Sequence, residues 1–246
     1  VVDWVTVYPG ESKIVSVVNG DVVYLQGLND SPSGSNYANI SSTTESGVLT
    51  VSGNPKSMLY ADAFSGKSLL SYAFYYLFSG LQSLNNIDNI VINDTSLTEG
   101  CYKGMFSACR SLTSIPSSLL RATSLADYCY CEMFSYCSGL TELPSGLLRA
   151  TTLKEHCYEK MFYYCSFLTS IPNGFLPATR LAFYCYGYMF ENCSRLASLP
   201  SNLLPATNLS SGKDCYAYMF HACSGLTTIP SGFLPATTLS SSCYFG

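Results

Sequence analysis

Twelve cysteines and two histidines are the residues in this chain of 246 whose types suit covalent or metal chemistry. Their spacing argues against that use. Cys101 and Cys109 are eight apart, as are Cys129 and Cys137, Cys157 and Cys165, Cys185 and Cys193, and Cys215 and Cys223. That is not a zinc-ligand spacing, and His156 and His221 stand at unrelated places in the pattern. His156 beside Cys157 is the one pairing that suggests a thiol nucleophile with its base. Cys157, however, belongs to a recurring apolar stripe, so packing is the plainer reading. Read as one helix, the stretch from Cys129 to Cys137 puts the two cysteines at its ends about 12 Å apart, too far for a disulfide, which needs Cα atoms within about 7 Å. Stacked helices would hold equivalent cysteines at about 8–10 Å. We therefore expect free thiols acting as small buried groups, with inter-repeat bridges as the alternative if the stretch is not a regular helix. Acids such as Asp127, Glu132, Glu142, Glu155 and Glu159 are scattered, as solvated charges are. Asn39, Asn93, Asn192 and Asn208 match the short glycosylation sequon. No phosphate loop is present. The expectation is a protein that is not an enzyme, with no catalytic, cofactor-binding or metal-ligating residue and no cofactor.

The elements that carry these cysteines repeat. The first cysteine of the unit falls at 101, 129, 157, 185, 215 and 243, in steps of 28, 28, 28, 30 and 28. A fixed period in this range marks a solenoid. Shifted by 28, Leu69 falls on Leu97, Leu77 on Met105, Phe78 on Phe106, Leu81 on Cys109, Leu84 on Leu112 and Ile87 on Ile115. Residues 73–100 are thus a divergent first repeat, followed by 101–128, 129–156, 157–184, 185–214 and 215–242, with a truncated repeat from 243. Ala73 and Leu81 stand where later copies have cysteine, which fits a packing role. Leu125, Cys129, Met133 and Cys137 recur every four residues, with Tyr130 and Phe134 beside them, and are read as the apolar stripe of a helix. Ser124 with Asp127, and Thr152 with Glu155, resemble capping boxes. Leu140–Pro144 is read as a short strand with Leu140 and Leu143 inward. Gly212 and Lys213 are expected to bulge out as an insertion.

Residues 1–56 read differently. Val1–Tyr8, Lys13–Val18, Asp21–Gln26 and Gly47–Ser52 are short Val-rich runs, Asn19-Gly20 is a hairpin signal, and Asn29–Ser46 is a Ser/Asn/Gly-rich loop. This is expected to be a β-rich N-terminal cap or attachment unit closing the solenoid of residues 57–246.

Charged residues make up only 11% of the chain and the formal net charge is −4, which argues against a nucleic-acid partner. No run approaches the length of a transmembrane helix, so no direct membrane insertion is expected. No signal peptide is recognisable. The start at Val1 suggests removal of an N-terminal piece, and the stop within a repeat suggests that the array runs on past Gly246.

The unit M-F-x-x-C-S-x-L-T-S-I-P, best seen at Met105–Pro116, Met161–Pro172 and Met219–Pro230, resembles the BspA-like leucine-rich repeats of bacterial surface proteins. The L-P-A-T-T-L run at Leu234–Leu239 is similar to a long-repeat variety found in Bacteroides-type bacteria. The resemblance spans about Leu69–Gly246. It implies an α/β fold: a right-handed leucine-rich repeat solenoid, a short strand plus a helix per repeat. It also implies a cell-surface or extracellular location and a role in adhesion and protein–protein contact. Related repeats occur in phage-encoded proteins of such bacteria.

If the invariant residues build the scaffold, specificity lies in the positions that vary. Tyr136, Tyr163, Tyr164, Tyr188 and Tyr218 fall where a helix would face away from its stripe, and Tyr suits adaptable recognition surfaces. A second candidate is the ladder Thr113-Ser114, Thr141-Glu142, Thr169-Ser170, Ala197-Ser198 and Thr227-Thr228, a row of small hydroxyls able to meet a glycan or peptide. The expected function is non-enzymatic recognition of a protein or glycan on a host or bacterial surface. The alternative is a structural or receptor-binding appendage of a bacteriophage virion.

Overall fold

The structure, a computed structural model, describes residue 23, residues 38–40, 48–60 and 66–246. The Val-rich runs expected before residue 27, and most of the Asn29–Ser46 loop, lie outside the described residues apart from Val23 and 38–40. From Gly47–Ser52 comes a two-residue strand, β1 (Leu49–Thr50), paired in parallel with β2 (Leu84–Asn86). Between them lies one helical turn, α1 (Ser57–Tyr60).

The repeats stack coil on coil, but the cysteine-bearing stretch is not a helix. From Tyr72 onward alternate residues make two kinds of backbone bond. Odd-numbered amides donate within the coil, three residues back: Tyr75 to Tyr72, Leu77 to Phe74, Ser79 to Tyr76. Even-numbered amides donate across to the next coil: Tyr72 to Glu99, Phe74 to Cys101, Tyr76 to Lys103, Phe78 to Met105. Two coils later Tyr128, Tyr130, Glu132, Phe134 and Tyr136 donate to Glu155, Cys157, Glu159, Met161 and Tyr163. The result is a string of overlapping β-turns, with every second turn carrying positive φ at its third residue, as type II turns do. Tyr72, Tyr76 and Gly80 hold those places in one coil, and Tyr128, Glu132 and Tyr136 in another. From Tyr128 to Cys137 every backbone N–H and C=O has a partner in this ladder, which is what burial requires.

The expected helix from Leu125 to Cys137 is therefore replaced by a turn ladder, and the reason is in the period. A repeat of four kept over twelve residues drifts by about 120° on an α-helix, whose step is about 100° per residue. On a ladder of four-residue turns it stays in line, so Cys129, Met133 and Cys137 can all be fully buried together with Tyr130 and Phe134. The capping boxes have no helix to cap: Asp127 Oδ1 instead accepts the Glu155 amide of the next coil at 3.0 Å.

The expected strand at Leu140–Pro144 is absent too. Leu140 and Leu143 are both buried while Thr141 and Glu142 are both exposed, and a period-two strand cannot put two residues three apart on one face. Among the described residues from Ser96 onward, strand pairing is limited to isolated parallel bridges, Ser96 with Ser124, Thr152 with Arg180 and Asn208 with Thr238. Gly212 does not bulge. It is buried, donates to the Leu209 carbonyl, and a Cβ there would press on Cys215 and Leu181. Its two-residue insertion is absorbed by the ladder, which pairs Tyr184 with Lys213 where the preceding coil pairs His156 with Phe183.

The core is a set of columns running through the coils. Phe74, Tyr102, Tyr130, Tyr158, Tyr186, Tyr216 and Tyr244 stack at centroid distances of 5.4 to 6.0 Å. Phe78, Phe106, Phe134, Phe162, Phe190 and Phe220 stack beside them at 5.6 to 5.8 Å. All twelve cysteines are free and buried. Those at the second position bond to the neighbouring coil: Cys109 donates to the Phe78 carbonyl, Cys137 to Phe106, Cys165 to Phe134, Cys193 to Phe162 and Cys223 to Phe190, at 3.0 to 3.3 Å. They are thus hydrogen-bonding groups as well as fillers of space.

Candidate functional site

The turn ladder sorts each group of four residues. Two point inward, as Cys129 and Tyr130 do, and the fourth sits at positive φ on the outer edge. Among the described residues sixteen non-glycines have positive φ, and eight of them are tyrosines: Tyr72, Tyr76, Tyr128, Tyr136, Tyr164, Tyr184, Tyr188 and Tyr218. That conformation costs an L-residue roughly 1–2 kcal/mol and is where Gly or Asn is ordinarily found.

The outer tyrosines stack from coil to coil. His156 lies between Tyr128 at 4.5 Å and Tyr184 at 5.6 Å, both rings within 6° of parallel. Tyr184 continues to Tyr188 at 6.1 Å, and Tyr188 to Tyr218 at 4.9 Å. Beside this ribbon Tyr136 and Tyr164 stack at 5.1 Å, and Tyr163 meets both edge-on. Tyr136 is 42% exposed and Tyr164 40%. Lys160 Nζ stands 5.3 Å over Tyr188 and 6.0 Å over Tyr163, and Lys103 5.3 Å over Tyr128, contacts that hold the cation near the ring faces. Glu159 Oε2 takes His156 Nδ1 at 2.8 Å, and Tyr76 donates to Glu132 at 2.6 Å. Partial burial, with Glu191 nearby, pushes the Tyr163 phenol up to about 12. The Glu99 carboxylate, which accepts from Tyr72, pushes that phenol up to about 12 as well. At neutral pH Tyr72 and Tyr163 are therefore neutral phenols.

Of the sequence candidates, the structure brings Tyr136, Tyr163 and Tyr164 into one cluster and Tyr188 and Tyr218 into another. It adds Tyr128, His156, Phe183 and Tyr184, which the sequence reading missed. These residues precede the first cysteine of their units by one or two places. The four-residue step, continued backward from Glu132 and Tyr188, finds Tyr128 and Tyr184. Thr113, Ser114, Thr141, Glu142, Thr169, Ser170, Thr227 and Thr228 are all exposed, on a different part of the coil. There the coils exchange few bonds: the Thr169 amide and hydroxyl both reach the Thr141 carbonyl, and the Ala197 amide reaches Thr169.

The inner groups are poor reactants. His156 turns outward into the aromatic stack, while Cys157 points into the core, where burial holds its thiol well above the ordinary range. Burial pushes Cys101 and Cys109 up to about 12. Near the first coil, Lys56 Nζ pairs with Asp94 and donates to the Lys67 carbonyl, and Asp94 also accepts from Tyr102 at 2.9 Å. This network borders a cleft of about 460 Å³.

No protein family model matches the chain, and no curated protein does. Among solved structures, a leucine-rich repeat protein from Eubacterium ventriosum ATCC 27560 is similar at 19% identity and a TM-score of 0.35, over 70% of this chain. This chain spans 42% of that protein's length. The coil geometry described above rests on the chain's own hydrogen bonds.

Proposed function

We propose that this chain is a non-enzymatic recognition scaffold that binds a protein partner through its outer tyrosine ribbon. The observation that carries the reading is the placement of large aromatic side chains at positive φ. A scaffold needing only the backbone turn would use Gly or Asn there, and tolerated strain at recurrent surface positions points to a use for the side chain. Stacking between coils offsets part of that strain. It also occupies ring faces, so the ribbon presents ring edges, hydroxyls and half-buried Lys and Glu. That chemistry suits a protein surface better than a sugar, which would need open faces to stack on.

The repeat unit's resemblance to bacterial surface proteins is the reason to look for the partner at a bacterial or host cell surface. Labelled protein would be measured on such cells by flow cytometry, beside a variant with Tyr136, Tyr163, Tyr164, Tyr188 and Tyr218 replaced by Ser and a control with Thr113, Thr141 and Thr169 replaced by Ala. Binding should fall at least tenfold in the tyrosine variant and hold in the control. Equal binding by a folded tyrosine variant overturns the reading. Binding lost only in the threonine control moves the site to the hydroxyl ladder.

A further inference from the structure

The buried tyrosine column contains an unbalanced chemistry. Tyr130, Tyr186 and Tyr216 are 1%, 1% and 4% exposed, and their hydroxyls, with that of Tyr244, are buried without a hydrogen-bond partner in the protein. An orphaned buried hydroxyl costs roughly 1–3 kcal/mol, and here the cost would recur from coil to coil. The first member of the column shows how the problem is solved elsewhere: Tyr102 donates to Asp94, whose side chain is only 10% exposed and is paired with Lys56.

Asp94 precedes Tyr102 by eight residues. The residue in that place is Ala122 for Tyr130, Ala178 for Tyr186 and Ala236 for Tyr244, and for Tyr216, after the two-residue insertion, Ala206. Each later coil thus exchanges a carboxylate for a methyl group beside a phenol that has kept its hydroxyl. Tyr186 and Tyr216 stack at 5.8 Å and 2°, and Tyr216 and Tyr244 at 5.6 Å and 7°. Near-parallel rings related by the coil step carry their hydroxyls at about the same spacing. A molecule midway is then about 2.9 Å from each, the O–H···O distance.

We propose that this column binds internal water, seated between successive phenols in the space the Asp94 carboxylate takes in the first coil. Each water has the two or more polar partners that an internal water needs. Tyr186, Tyr216 and Tyr244 form the best-defined stretch, with two bridging waters. From Tyr186 to Tyr244 the column is then a line of alternating phenol and water beside the dry phenylalanine column. The proposal does not depend on the recognition reading.

The test is a crystal structure of the whole chain at about 1.5 Å or better, with a Tyr216→Phe variant beside it. Expected are density peaks between the hydroxyls of Tyr186 and Tyr216 and of Tyr216 and Tyr244, at about 2.7–2.9 Å from each. Both peaks should disappear in Tyr216→Phe, and its Tm should fall by about 4–8 °C, the shift that two lost bridges of about 1 kcal/mol each produce in a domain of this size. Absence of the peaks in the parent protein overturns the proposal. So does an unchanged or raised Tm in the variant, because deleting a hydroxyl from a dry site removes a desolvation cost.

Discussion

The two sides of each coil are held together differently. Along the cysteine-bearing side, five backbone bonds join one coil to the next, from Tyr128, Tyr130, Glu132, Phe134 and Tyr136, and two aromatic columns fill the space behind them. Along the hydroxyl side the join is sparse: at Thr169 it is one amide and one hydroxyl on the Thr141 carbonyl, with Leu140 and Leu143 buried beneath. Cohesion is concentrated where backbone and ring stacking share one spacing. The hydroxyl side follows because its leucines must be covered.

The contrast is broken most severely at the backbone of the ladder. Lys160→Pro removes the amide that donates to Gly187 and demands a negative φ where the chain has +53°. A loss above about 4 kcal/mol is expected, read as collapse of the cooperative urea transition. Phe134→Ala empties a fully buried place between Phe106 and Phe162 and should cost about 3–5 kcal/mol by the same measurement. The matching change on the other side, Thr141→Ala, should stay within about 0.5 kcal/mol. A comparable cost at Thr141 would mean that the two sides share the load.

Alkaline pH tests the ladder side without mutation. Burial raises Cys101 and Cys109 from the ordinary 9.0 to about 12, and Cys223 to about 11. A raised thiol favours the protonated, folded state, so its contribution is complete below about pH 9 and is lost as pH climbs toward 12. Circular dichroism should show a flat stability from pH 6 to 8 and steep unfolding above pH 9. For the same reason Ellman's reagent should find almost no thiol in the folded protein and all twelve in denaturant. Rapid labelling of several thiols in the folded state would contradict the buried columns.

The smallest effect probes the strain of the outer edge. Ala222 has φ of +57° and is exposed, so Ala222→Gly should stabilise by up to about 1 kcal/mol, relief of strain outweighing the extra freedom of the unfolded chain. At Tyr188 the same change removes the ring stacked on Tyr184 and Tyr218 and should give no net gain.

Much of the packing was legible. Leu125, Cys129, Tyr130, Met133, Phe134, Cys137, Leu140 and Leu143 were expected inside and are buried, because apolar side chains recurring in register admit one inward face whatever the backbone does. The backbone itself was misread. A four-residue step lies close enough to 3.6 to pass for a helix over one or two turns, and only its persistence from Leu125 to Cys137 separates the two. The exposed tyrosines were found in part: Tyr136 and Tyr164 stand out as exceptions between fixed residues, whereas Tyr128 and Tyr184 become surface residues only once the turn ladder extends back past the first cysteine.

What the sequence alone determined is the repeat, the inward columns and the thiols' role in the core, since these follow from residue type at a fixed period. The tertiary structure decided the conformation that the period serves. Each second amide finds its acceptor in the neighbouring coil, about 27 residues away in the chain, and no local preference of tyrosine or glutamate leads to positive φ. That choice becomes favourable only when an adjacent coil supplies both the carbonyls and the stacked rings.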